Sequence, residues 1–78
     1  MKQLTFGAAM AEAPFGKWLL EQKSRDGHIG ELARWASLDP KFPVSGTVED
    51  ITARLTTLGA DPDAFVALED AELDWAAM

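Results

Sequence analysis

Three features of this 78-residue chain could do chemistry: one imidazole, a pair of carboxylates a helical turn apart, and a small basic corner. His28 is the single histidine, and Glu31 follows it at i+3, so on a helix the two share a face as half of an acid–base dyad. In the first turn of a helix such a pair is far more commonly a solvated surface pair. Asp70 and Asp74, at i and i+4, could offer a hard cation two carboxylates, but one helical turn supplies fewer oxygens than such an ion takes. No cysteine is present, which removes a thiol nucleophile, a thiolate zinc site and a disulfide framework, and one histidine excludes a His-rich metal site. The expectation is a protein that is not an enzyme, with no cofactor, no metal and no evident small-molecule substrate.

The elements that must position these groups read as helices. Pro14 suits a helix start, and Phe15, Trp18, Leu19 and Gln22 share one face of a short helix running to about Lys23. Gln22 is expected to be buried and bonded to a loop backbone. Ser24 to Gly27 makes a tight corner, with Asp26 as N-cap of a second helix that Asp39-Pro40 stops. Ile29, Leu32, Ala33 and Ala36 form the core-facing stripe of that helix, and Gly30 inside it marks a close approach of another segment. Trp35 lies off the stripe on the flank of His28. A tryptophan there more often packs under a loop, here with Phe42, than stands open as an interface anchor.

Phe42, between Pro40 and Pro43, is read as a plug over the helix pair. Thr47 caps a third helix with the stripe Val48, Ile51, Thr52, Leu55 and Leu58, an i,i+4 pair Asp50–Arg54, and Gly59 as a left-handed terminus. Asp61-Pro62-Asp63 starts a last helix to about Ala76, whose stripe is Phe65, Leu68, Ala71 and Trp75. Val66 and Leu73, one heptad apart, point to a different side, with Asp70 between them. The chain therefore reads as all-α, with residues 1–13 an N-terminal arm and 14–78 a single domain. Leu4, Phe6 and Met10 in the arm follow no clean period. The arm resembles a secretory signal too weakly to carry that reading, and no run reaches the ~20 apolar residues of a membrane span, so a cytoplasmic protein is expected.

The net charge of −6 is unevenly placed. Residues 1–60 carry seven basic and seven acidic side chains, whereas 61–78 carry Asp61, Asp63, Glu69, Asp70, Glu72 and Asp74 with no base. Lys23, Arg25, Arg34 and Lys41 could form a small basic patch beside Trp35. An acidic last helix is commonly just a solubilising face, but it also leaves room for a basic partner.

Two stretches carry a family resemblance. F-x-x-W-L-x-x-Q, formed by Phe15, Trp18, Leu19 and Gln22, is followed closely by R-D-x-x-I-G-x-L-A, formed by Arg25, Asp26, Ile29, Gly30, Leu32 and Ala33, with Phe42-Pro43 later. Over about Phe15 to Trp75 the chain resembles the YozE-type SAM-like domain, a small bacterial helical domain related in fold to sterile alpha motifs. It departs from that pattern at Gly27-His28, where a second acid and a proline are common. The resemblance implies a compact SAM-like bundle of four to five short helices and implies no reaction. SAM-like folds elsewhere bind proteins, self-associate or bind nucleic acid, and fold alone does not choose among these.

The expected function is a non-catalytic protein–protein interaction module, with a protein partner or self-association as its business and Arg25, His28, Trp35, Val66, Asp70 and Leu73 as candidate contact residues. The basic corner and acidic end suggest a head-to-tail contact between copies. The alternatives are a nucleic-acid-associated regulator binding through Arg25 and Arg34, disfavoured by the overall acidity, and an acidic mimic of nucleic acid.

Overall fold

The computed structural model describes residues 14–78. The readings of residues 1–13 as an arm and of Leu4, Phe6 and Met10 lie outside these. Four helices follow in order: α1 (Phe15–Leu20), α2 (Gly27–Leu38), α3 (Val48–Leu58) and α4 (Pro62–Ala76). Among the described residues all regular structure is helical, as expected of an all-α bundle.

Each helix begins and ends for a local reason. Thr47 and Asp50 make a reciprocal capping box at the start of α3: the Thr47 hydroxyl accepts from the Asp50 N–H, and the Asp50 carboxylate accepts from the Thr47 N–H. This occupies Asp50, so the expected Asp50–Arg54 pair is replaced. Arg54 instead reaches out of α3 to the C-cap of α2, where its Nε and Nη2 each donate at 2.8 Å to one carboxylate oxygen of Asp39. Gly59 closes α3 at φ 67°, the left-handed geometry expected of it. Asp26 and Asp61 do stand at N-cap positions, but neither side chain makes a capping hydrogen bond.

α1 is shorter than its apolar spacing suggests. It ends at Leu20, and residues 21–25 curl through turn bonds from Gln22 N–H to the Leu19 carbonyl and from Arg25 N–H to the Gln22 carbonyl. The Gln22 amide donates to the Trp18 carbonyl, back into the helix it follows rather than to a distant loop, and Gln22 is half-buried.

The core forms where the stripes converge. Phe15, Trp18 and Leu19 of α1, Ile29, Leu32, Ala33 and Ala36 of α2, Ile51 and Leu55 of α3, and Ala67, Leu68 and Ala71 of α4 are buried together. Phe42 closes this core from the α2–α3 connection, as the plug reading requires. That connection is tied to α1 by the Gly16 N–H, which donates to the Gly46 carbonyl at 3.2 Å. Phe15 stacks on Trp18 and meets Trp75 edge-on at 5.4 Å, so one ring joins the first and last helices. The α3 stripe is narrower than expected. Thr52 is exposed and returns its hydroxyl to the Val48 carbonyl, and Leu58 at the helix end is 45% exposed.

The Asp39–Arg54 pair ties the end of α2 to the middle of α3, and its geometry predicts an acid response. The Arg54 fork holds the Asp39 carboxyl below the usual carboxylate range, helped by the Lys41 N–H, while burial opposes the shift. A depressed folded-state pKa means the contribution is complete above the unfolded value of about 4 and is lost as pH falls through the lower folded value. Comparing wild type with Arg54→Gln by urea unfolding should therefore show a wild-type advantage that is full at neutral pH and shrinks only below about pH 4. An advantage independent of pH down to the acid limit would remove this role.

Candidate functional site

The surface that combines charge with exposed apolar groups is built by α4 and the corner that leads into α2. The corner is held by backbone geometry. Gly30, one turn into α2, faces the Arg25 carbonyl so closely that a Cβ built there would lie 1.8 Å from that oxygen. The close approach expected at Gly30 is thus the chain's own preceding turn. Arg34, one turn further along α2, places Nη1 2.7 Å from the Lys23 carbonyl oxygen and 3.1 Å from that of Arg25, and donates to both.

The corner's outward side chains then meet α4. Arg25 Nη2 donates to Asp74 Oδ2 at 2.8 Å, and His28 Nε2 bonds Asp70 Oδ2. Asp70 and Asp74, one turn apart on α4, each take a partner from the corner rather than sharing one cation. The four side chains are about half exposed, so each pair contributes little beyond orientation, on the order of 0–1 kcal/mol. Arg25 also brings a cation to the C-terminal half of α4, whose last turn holds no base of its own.

Of the six candidate contact residues, the structure thus brings Arg25, His28 and Asp70 together. Arg25 reaches Asp74 and His28 reaches Asp70, so the basic corner and the acidic helix lie side by side in one molecule. His28 pairs with Asp70 and not with Glu31, and no group of three or more acidic or imidazole side chains placed to hold a metal ion occurs among the described residues. Trp35 is half-buried against the edge of the core.

Val66 and Leu73 stand apart from these. They are 52% and 69% exposed and occupy the solvent side of α4, opposite Ala67, Leu68 and Ala71. At 100° per residue Glu69 lies about 40° around the helix from Leu73 and about 60° from Val66, beside them on the solvent side, whereas Glu72 lies about 100° from Leu73, on the flank toward Phe65; neither makes an ion pair among the described contacts. Val66 and Leu73 make an apolar edge about 10 Å long, set by their seven-residue separation, with the Glu69 carboxylate beside it.

Leu38, 82% exposed at the end of α2, was not singled out by the sequence reading. Its signal was available: it sits 200° around the helix from the buried Ala36. No described helix is long and apolar enough to cross a membrane.

Comparison with known proteins yields one match. Residues 14–75 match the family model described as YozE SAM-like fold. Neither the curated proteins nor the solved structures contain a match to the chain.

Proposed function

Because this chain belongs to the YozE SAM-like fold family, whose fold assigns no reaction, we propose that it is a non-catalytic protein-interaction module whose docking surface is the solvent side of α4. The observation that carries this is the exposure of Val66 and Leu73 on a helix whose opposite side already fills the core. A helix apolar on two sides gains nothing for the monomer from the second, and paired aliphatic anchors two turns apart are a common form of helix recognition.

The nucleic-acid reading draws less support. Arg25 and Arg34, the residues it needs, are engaged by Asp74 and by the carbonyls of Lys23 and Arg25. The mimic reading keeps four of its six carboxylates outside the ion pairs with the corner.

A photo-reactive residue placed at Leu73, with the same residue at the exposed Lys17 as control, tests the proposal in cells of the protein's source. A polypeptide crosslinked from position 73, absent from position 17 and lost on Val66→Ser, is the expected result. Identical patterns from both positions would overturn it. Leu73→Ser should change unfolding stability by no more than about 0.5 kcal/mol, since the side chain touches little in the monomer. A larger loss in urea would mean that Leu73 serves the fold.

A further inference from the structure

Resting on the α4 surface as a docking site, we propose that its occupant is a basic amphipathic helix of another protein, carrying aliphatic residues at i and i+7 and Lys or Arg between and beside them. Val66 and Leu73 set the apolar spacing. Glu69 lies beside them on the same side of the helix, Glu72 lies on the flank next to Glu69, and residues 61–78 contain no base to answer either carboxylate locally. The neighbouring acids Asp70 and Asp74 pair with His28 and Arg25, so on this side of α4 Glu69 and Glu72 are the carboxylates left to a partner.

A second copy of this chain does not supply the required surface. A twofold pairing of α4 with itself, centred between Val66 and Leu73, sets Glu69 against Asp70 of the copy, and like charges facing one another are costly. A head-to-tail pairing needs a helix with bases beside exposed aliphatic residues, yet the three arginines are engaged by Asp74, by two carbonyls and by Asp39, and the exposed Lys17, Lys23 and Lys41 lie on three separate segments. Two aliphatic side chains also expose far less area than a stable interface of about 1,200 Å² or more buries. The contact therefore depends on charge, and is weak and salt-sensitive.

The probes are three synthetic helical peptides with the same leucines at i and i+7 and with lysine, glutamine or glutamate at the intervening and flanking positions, titrated into the ¹⁵N-labelled full chain. The lysine peptide should shift the amides of Val66, Glu69 and Leu73 and bind about tenfold or more tightly than the glutamine peptide. That margin should collapse between about 0.05 and about 0.5 M salt. Glu69→Lys combined with Glu72→Lys should transfer the preference to the glutamate peptide. Equal binding of the lysine and glutamine peptides at these amides would overturn the basic partner and leave the docking surface standing. If no peptide moves these amides, or the shifts fall elsewhere, both proposals fall. Shifts of the same amides with protein concentration alone would assign the surface to a second copy and overturn the inference.

Discussion

Gly30→Ala should destabilise the domain by about 3 kcal/mol or more, although alanine is the better helix former by about 1 kcal/mol. The added methyl would sit 1.8 Å from the Arg25 carbonyl oxygen and 2.7 Å from its carbon. Both atoms are backbone, so no rotamer change relieves the contact, and the corner itself must move. Moving it withdraws one acceptor from Arg34 and displaces the residue that reaches Asp74. Urea unfolding followed by circular dichroism measures the loss. Gly59→Ala is the contrast: its Cβ would meet nothing within 4 Å, and only the positive φ opposes it, at about 1–2 kcal/mol. If Gly30→Ala proves no worse than Gly59→Ala, the close approach at the corner is not what the glycine is for.

Phe15→Ala is the second large effect, at about 3–5 kcal/mol. Phe15 is 2% exposed and lies between Trp18 and Trp75, so its removal empties the junction of α1 with α4. A domain of this size has a total stability of about 5 kcal/mol, so the variant retains about 0–2 kcal/mol and is expected to show a measurably unfolded fraction at room temperature and a urea midpoint near zero denaturant. Phe15→Leu keeps most of the volume and should cost about 1.5 kcal/mol while remaining folded, with altered tryptophan emission because the ring contacts are gone. A folded Phe15→Ala with unchanged tryptophan emission would contradict the packing described for this ring.

Loss of the corner and loss of the junction bear on the proposed docking surface in different ways. Phe15 holds the inner side of α4 near its C-terminus, through Trp75, while the corner holds one flank through Asp70 and Asp74. Val66, Glu69 and Leu73 are attached to neither. Their side chains face solvent, and they keep their spacing as long as α4 remains a helix.

That separation also marks what could be read before folding. The all-α class, the four helices and most of their core faces were legible because each signal is local: a 3.6-residue apolar period, Thr47 with Asp50 at a helix start, Pro62 just inside one, Gly59 just past an end. The outward direction of Val66 and Leu73 was legible for the same reason, since a helix assigns each residue an angle as soon as its neighbours are assigned theirs. The family motif around Phe15 to Ala33 was likewise readable, because it lies within one short stretch of chain.

The pairing of charges was decided by the tertiary structure. Arg25 and Asp74 are 49 residues apart in sequence, His28 and Asp70 are 42 apart, and Arg54 and Asp39 are 15 apart. Local spacing favoured His28 with Glu31 and Asp50 with Arg54, each within one helical turn. Both were displaced because packing brought a better-placed partner from another element, or because a cap had already taken the carboxylate. A side chain's angle on its helix follows from the local repeat, whereas its ion-pair partner follows from how helices cross and at what register. For this protein the first told which residues face outward, and only the second showed which of its charges have partners within the chain.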